Sequence, residues 1–410
     1  MNVEDPDHAR RLAQGASTKA AREDYFDFNA STPVDEAVLA AALPWMREEF
    51  ANASSAHPEG RRSAAAIADA RAQIAAGIGA APEEIFFTSG GSESNNWALS
   101  GSISRARRAH IVSTAIEHKS VLSTLRALEA DGHAVTRVSP GEHGAVRVED
   151  VLDALRPETA LVSVMLANNE TGVLQPVAEL GAALRRRGVR FHVDAVAAVG
   201  KHPIDVRALA CDLLSLSAHK LYAPKGCGVL YVRSGVELHP LIHGCGQQGG
   251  MRGGTENTFG AVAFGRAFER LREGAFGTPE SIAKLRDDLW SRLEAAVPGI
   301  LRNGSGPRLP NTINVSLPGA EAPRVVELLG ARGFSVSGGA AAAGAASHVL
   351  LAMGCSEERA RSSVRISLGA HTTREAVARL VEALCAVLPA ARAGSAAGPA
   401  SAVSGSARRG

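Results

Sequence analysis

Lys220 follows the apolar run Leu213–Ser217 in the stretch LLSLSAHKLYAPKGCG, flanked by Ser217 and His219 and leading into a Pro/Gly turn. A primary amine delivered at a strand end beside an imidazole suits Schiff-base chemistry with an aldehyde cofactor, because burial there favours the nucleophilic neutral amine. The chain has six lysines against thirty-eight arginines, so this one is not casual surface charge. In open α/β sheets ligands gather at the carboxyl ends of strands, which makes the polar residues after each apolar run the ones to examine.

Four further runs end in suitable groups. FFTSGGSESNN (86–96) brings a strand to a Gly-Gly turn and a helix start, where backbone N–H groups around Gly91, with Ser89 and Ser92, can cradle a phosphate. A plain helix cap by Ser92 is the competing reading. HIVSTAIEHKS sets His118 a few residues past a strand, where a structural histidine is the simpler alternative. VSVMLANNETG places Asn168, Asn169 and Glu170 after a buried run; the amides can hold a carboxylate or phenolic oxygen, or simply form a turn. VRFHVDAVAAVG ends a strand at Asp194, twenty-six residues before Lys220, where a carboxylate can pair with a protonated ring nitrogen and keep that ring electron-withdrawing. Asp194 as a helix cap is the bland alternative.

The elements that must position these groups are short β-rich runs alternating with helical patterns. The strand expectations are Ile85–Ser89, His110–Ala115, Ala134–Ser139, Leu161–Leu166, Arg190–Val196, Leu213–Ser217 and Gly228–Arg233. Helical three-to-four spacing falls at Val148–Leu155 and Val177–Arg186. The alternation predicts an α/β fold with a large domain built on a mainly parallel, seven-stranded sheet. After about Thr258 longer amphipathic segments (Ala283–Ala296, Ala376–Val387) and two strand-like runs (Thr312–Leu317, Val364–Leu368) predict a smaller α+β domain. The boundaries read as a flexible N-terminus at 1–24, a small domain from 25–38 and 259–392, a large cofactor-binding domain at 39–258, and a disordered Gly/Ala/Ser/Pro tail at 393–410.

At 410 residues, 45% hydrophobic and 21% charged with a net charge of +2, the composition is that of a globular protein and points away from nucleic acid. Five cysteines without CxxC spacing argue against zinc or a disulfide framework and fit a reducing cytoplasm. No apolar run is long enough to span a bilayer or serve as an export signal, so no membrane partner is expected.

Taken in order, FDFNASTP (26–33), FFTSGGSESNN, EHKS, LANNETG, VDAVAAVGK, SAHKLYAPKG, GMRGGTENT and SSVRISLG resemble the cysteine desulfurase and selenocysteine lyase family. The resemblance covers nearly everything between residues 25 and 390, and LANNETG and GGTENT are similar to the selenocysteine lyase branch in particular. It implies the fold type I of pyridoxal-phosphate (PLP) transferases, in the class V aminotransferase group, and pyridoxal 5'-phosphate as cofactor. It also implies a cysteine-type amino acid as substrate, with cleavage of its C–S or C–Se bond, a homodimer, and a possible protein acceptor of sulfur or selenium.

Residue by residue, the resemblance implies that Lys220 is the Schiff-base lysine and the base at Cα, Asp194 the partner of the pyridine nitrogen, and His118 the imidazole over the ring. Ser92, Ser217 and His219 resemble phosphate ligands, and Thr255 resembles the threonine that reaches the phosphate of the neighbouring subunit. Arg365 resembles the clamp on the substrate carboxylate, a bidentate task suited to a guanidinium, helped by Asn169.

The chain departs from that pattern where the chemistry is. The stretch Val336–Gly344, VSGGAAAAG, has no cysteine; Ala342 or a neighbouring alanine stands where the family carries its sulfur-accepting thiol, and the loop before Ser347 is a few residues short. Ala197 replaces a glutamine, Gly249 an arginine, and Ala370 a basic residue found in part of the family. Cys245 and Cys227 are the candidates to replace the thiol by motif proximity, with burial in a Gly-rich turn the simpler reading; Cys355 and Cys385 fall in helical patterns. Other PLP reactions, namely β-elimination, racemisation or transamination, and a degenerate partner subunit in sulfur transfer, are the alternatives.

Overall fold

A computed structural model describes residues 24–103, 108–338 and 345–395. The predicted N-terminal arm, the alanines at 340–343 and most of the predicted tail lie outside the described residues.

Seven strands form the main sheet: β1 (Ile85–Thr88), β2 (His110–Thr114), β3 (Ala134–Val138), β4 (Thr159–Met165), β5 (Arg190–Asp194), β6 (Leu213–Ser217) and β7 (Gly228–Val232). Their spatial order is β1-β7-β6-β5-β4-β2-β3, parallel except for β7, which runs antiparallel to both neighbours. The central strands β2, β6 and β7 are buried at every position, as expected for strands covered by helices on both faces. The seven-stranded expectation holds, with most strands ending one or two residues earlier than the apolar runs predict. β5 stops at Asp194, whose Oδ1 accepts from the Val196 amide, and the Ala195 carbonyl then accepts the Ala198 and Val199 amides in a turn.

The helices that matter below are α1 (Pro58–Ile78), α2 (Gly91–Gly101), α3 (Lys119–Ala130), α4 (Thr258–Arg272), α5 (His348–Ala352) and α6 (Arg374–Ser395). A second, antiparallel sheet combines β8 (Leu301–Arg302), β9 (Thr312–Ser316), β10 (Ser337–Gly338) and β11 (Ser363–Ser367) in the order β10-β11-β9-β8. Its apolar face joins the helix Pro279–Ala296 and α6 in a separate core containing Leu289, Val315, Ile366 and Leu384.

Three boundaries differ from the sequence reading. Helix α4 packs against α1 and buries Phe264 and Phe268 in the large core, so the change of unit follows Phe276 instead of falling near Thr258. Residues 25–38 do not belong to the small unit alone: Phe26 lies in the small core while Phe28 and Val38 lie in the large one. Helix α6 also continues to Ser395, three residues past the predicted boundary.

Candidate active site

The carboxyl ends of β1, β4, β5 and β6 converge on a cavity of about 440 Å³ whose far wall is the small sheet. At the end of β6 the chain turns through Ala218–Lys220, which carries Lys220 inward. Lys220 Nζ donates to the backbone oxygens of Asn29 and of Ala30, the latter at 2.9 Å. Burial, and then the nearby Arg365 guanidinium, lower its pKa to about 8, against the opposing pull of Asp27 and Asp194. Such an amine is neutral in about a tenth of molecules at pH 7, far more than an ordinary lysine, and the neutral form is the nucleophile for an aldehyde.

Asp194 is buried at the end of β5. Its Oδ1 accepts from the Val196 amide at 2.9 Å, and its Oδ2 accepts from Asn95 Nδ2 at 2.7 Å. The bond to Val196 opens a turn and no helix begins there, so Asp194 is not the helix cap of the simpler reading; the residue lines the cavity. Asn95 also donates to Ser120 Oγ at 2.9 Å, and Ser120 Oγ lies 2.8 Å from His118 Nδ1. A polar chain therefore links Asp194 to His118. His118 caps α3, with Nδ1 accepting from the Ser120 amide, yet its ring lines the cavity. Crowding by protein lowers its pKa, with Asp194 opposing.

The β1–α2 turn brings a helix N-terminus to the cavity. Gly90 has φ +154°, a conformation that side-chain-bearing residues rarely adopt, and a Cβ on Gly91 would come within 2.7 Å of Val196 Cγ2. Two glycines are therefore required to bring the helix N-terminus against the cavity. Gly91 and Ser92 line it from this side, Ser217 and His219 from β6. Ser92 makes no side-chain cap, so the capping alternative fails; Gly90 holds that position. Ser89 faces a different cavity. His219, pushed down to about 4 by burial and then by Lys220, is a neutral imidazole at pH 7.

On the opposite wall Arg365 projects from β11. Its Nη1 donates to the Asn169 carbonyl at 3.0 Å and its Nη2 to Asp27 Oδ1 at 2.6 Å, while the buried Nε has no hydrogen-bond partner. Asn169 lines the cavity, whereas Asn168 makes the predicted turn, accepting the Glu170 and Thr171 amides on Oδ1. Glu170 also lines the cavity; its Oε2 accepts from Ser347 Oγ at 2.5 Å, and burial raises its pKa.

These contacts fit pyridoxal phosphate on the chain's own terms. An amine, a buried carboxylate, and a helix N-terminus with hydroxyls and a neutral histidine face one space, matching the aldehyde, the ring nitrogen and the phosphate in turn. The Arg365 guanidinium adds a positive charge to the cavity wall. Nine predicted positions thus share one cavity: Gly91, Ser92, His118, Asn169, Asp194, Ser217, His219, Lys220 and Arg365. Thr255 does not join them; it is exposed and lines a second cavity with Arg252, Gly254 and Glu256.

Sequence reasoning assigned no role to Asn95, Ser120, Asn29 or Asp27. Asn95 was detectable, since it stands one helical turn from Gly91 on the same face of α2; the others needed tertiary pairing. Ala197 lines the cavity and Gly249 does not, while Ala342 lies outside the described residues. All five cysteines are described and none lines the cavity. Cys227 is buried and pushed up to about 12, Cys245 is exposed on the loop before Gln247–Gly250, Cys385 is in α6, and Cys355 sits in the turn after α5 instead of in a helix.

Residues 24–380 match the family model described as Aminotransferase class-V. The cysteine desulfurase IscS of Clostridium botulinum is 42% identical over 368 residues, covering 88% of this chain and 93% of the relative. A cysteine desulfurase of Nostoc sp. is 38% identical, covering 90% and 94%. Among solved structures, a NifS-like protein superposes with a TM-score of 0.83 at 37% identity, covering 90% of this chain and 99% of that one. The structure described as SspA in complex with cysteine gives 0.76 at 39%, covering 85% and 100%. With the lysine, carboxylate and phosphate cradle facing one cavity, these similarities mean that the chain belongs to the class V aminotransferase family, among its pyridoxal-phosphate-dependent cysteine desulfurase members.

Proposed function

We propose that this protein cleaves the Cβ–S or Cβ–Se bond of an L-cysteine-type amino acid without forming a persulfide on the usual loop cysteine. The observation that carries the reading is the composition of the cavity: Lys220, Asp194, His118 and Arg365 surround it, and no cysteine of the chain lines it.

Bound pyridoxal phosphate supplies an electron sink for negative charge at the substrate Cα. The chain's residues do the rest. Arg365, with Asn169, binds the substrate carboxylate; Lys220 Nζ takes the proton from Cα; His118 forms a wall over the ring. Asp194 holds the ring nitrogen protonated, while Ser92, Ser217, His219 and the α2 N-terminus hold the phosphate. The exposed Thr255 serves the phosphate of a second copy, which makes the working unit a homodimer. A cytoplasmic acceptor of sulfur or selenium completes the reading; among the described residues no helix is long and apolar enough to cross a membrane.

The cysteine-free cavity favours a second reading, β-elimination to pyruvate. With no thiol to receive sulfur, the Cβ–S bonding pair departs on the sulfur, and a selenol, the stronger acid, departs more readily. The purified protein is expected to carry a visible cofactor band that Lys220→Ala abolishes; a band that survives the substitution, or none in the parent, overturns the assignment. Incubation with L-cysteine, L-selenocysteine and cystine, with and without reductant, separates the readings. Alanine, with sulfide or selenide appearing only when the reductant supplies the two electrons that the released sulfur or selenium needs, marks desulfurase-type cleavage, and pyruvate with sulfide or selenide in the absence of reductant marks elimination.

A further inference from the structure

Asp27 lies on the segment that crosses from one core to the other. Phe26 and Phe28 point into the small and large cores, and extended-chain alternation directs the intervening Asp27 to the opposite side. The segment is pinned there by backbone bonds: the Phe26 amide donates to Ser335 O at 2.8 Å and the Ser367 amide to Phe26 O at 2.8 Å. Tyr25 Oη donates to the Asp27 carbonyl at 3.0 Å. The carboxylate so placed makes a 2.6 Å ion pair with Arg365, and both side chains are largely buried, at 20% and 10% exposure.

The pair matters because Arg365 and Lys220 are two cations near one cavity. Arg365 disfavours the charged form of Lys220, and Asp27 and Asp194 favour it. Around Lys220 stand also His118, His219 and Lys201, each of whose pKa is lowered, so none adds a full positive charge at neutral pH except in part Lys201, pushed down to about 7. Asp194 is already held by Asn95 and the Val196 amide. Asp27 is therefore the carboxylate that contacts Arg365 directly, and it leaves the guanidinium Nε unengaged.

We propose that Asp27 is a positioning residue of this site: it fixes the Arg365 guanidinium in the cavity wall, where a substrate carboxylate can meet it, and it supplies the negative charge that balances Arg365 against Lys220. The inference rests on the reading of Lys220 and Arg365 given above.

The test is Asp27→Asn, which keeps shape and hydrogen bonding but removes the charge, with Asp27→Glu as the charge-conserving companion. In cofactor-free protein, the pH dependence of Lys220 acetylation by acetic anhydride, read by peptide mass spectrometry, should shift to lower pH by about half a pH unit or more in Asp27→Asn. Asp27→Glu should stay near the parent. In the holoenzyme the pH midpoint of the visible band should move in the same direction. The KM for L-cysteine should rise several-fold with kcat changed less, since a carboxylate contact common to bound substrate and transition state is weakened. A Lys220 midpoint that is unmoved in folded Asp27→Asn, or equally moved in Asp27→Glu, overturns the proposal. A parent protein without a visible band overturns the functional reading instead, and the acetylation measurement still decides the role of Asp27.

Discussion

Asp194 is held by two donors, the Val196 amide and Asn95 Nδ2, and Asn95 in turn donates to Ser120 Oγ, which contacts His118. A buried carboxylate needs such donors, because a hydrogen bond to a charged group contributes roughly 1.5–3 kcal/mol and its loss leaves the charge less satisfied. Asn95→Ala should therefore weaken cofactor binding roughly ten-fold or more, measured by fluorescence titration of the cofactor-free protein. It should also shift the cofactor's absorbance, because the partner of the ring nitrogen changes. Unchanged affinity would mean that Asp194 is set by the Val196 amide alone. At this scale the sequence was legible where chemistry and strand position coincide. Asp194 ends one apolar strand and Lys220 follows another, and both line the cavity. Asp27 was not legible as a site residue, because its partner lies 338 residues away; Asn95 could be placed on the Gly91 face of α2, but its bond to Asp194, 99 residues away, could not.

At the scale of elements, the approach of β7 to the β1–α2 turn sets the phosphate cradle. A Cβ on Gly228 would lie 2.6 Å from Gly90 Cα and from its carbonyl carbon, backbone atoms that cannot swing aside as a side chain can. Gly228→Ala should displace the turn, destabilising the protein by about 1–3 kcal/mol and loosening cofactor binding. Gly141→Ala is the control, since its Cβ would meet nothing within 4 Å and its backbone is not in the left-handed region. Urea denaturation of the two variants and cofactor titration of each check this; equal behaviour would separate the cradle from this packing. Strand existence and order of function along the chain were readable from apolar runs and turns. The ownership of helix α4 was not, because an amphipathic pattern shows that a helix has a buried face without showing which core receives it. The crossing of Phe26 and Phe28 between cores was hidden for the same reason: both are simply apolar in sequence.

Across the whole molecule, buried ionisable groups make stability depend on pH in opposite senses. His192, between Ser163 Oγ at 2.8 Å and Ser215 Oγ at 3.0 Å, is pushed down to about 3 by burial and so is neutral in the folded state. The stability this neutral form retains above pH 6.5 is lost as pH falls towards 3, because the unfolded chain binds the proton first. Glu117 behaves the other way. Its Oε1 accepts from Thr114 Oγ1 at 2.6 Å and from the Met165 amide at 3.0 Å, its Oε2 has no partner, and burial pushes the carboxyl up to about 8. The unfolded chain releases this proton near pH 4.5 and the folded chain only near 8, so stability falls as pH rises across that window. Glu117→Gln cannot ionise. The stability of the parent relative to Glu117→Gln, measured by urea denaturation of cofactor-free protein, should therefore decline between about pH 4.5 and 8 by a few kcal/mol at most and level off above 8. His192 cancels in that difference because both proteins retain it. A difference that stays constant with pH would mean that Glu117 releases its proton at the same pH in the folded and unfolded chains.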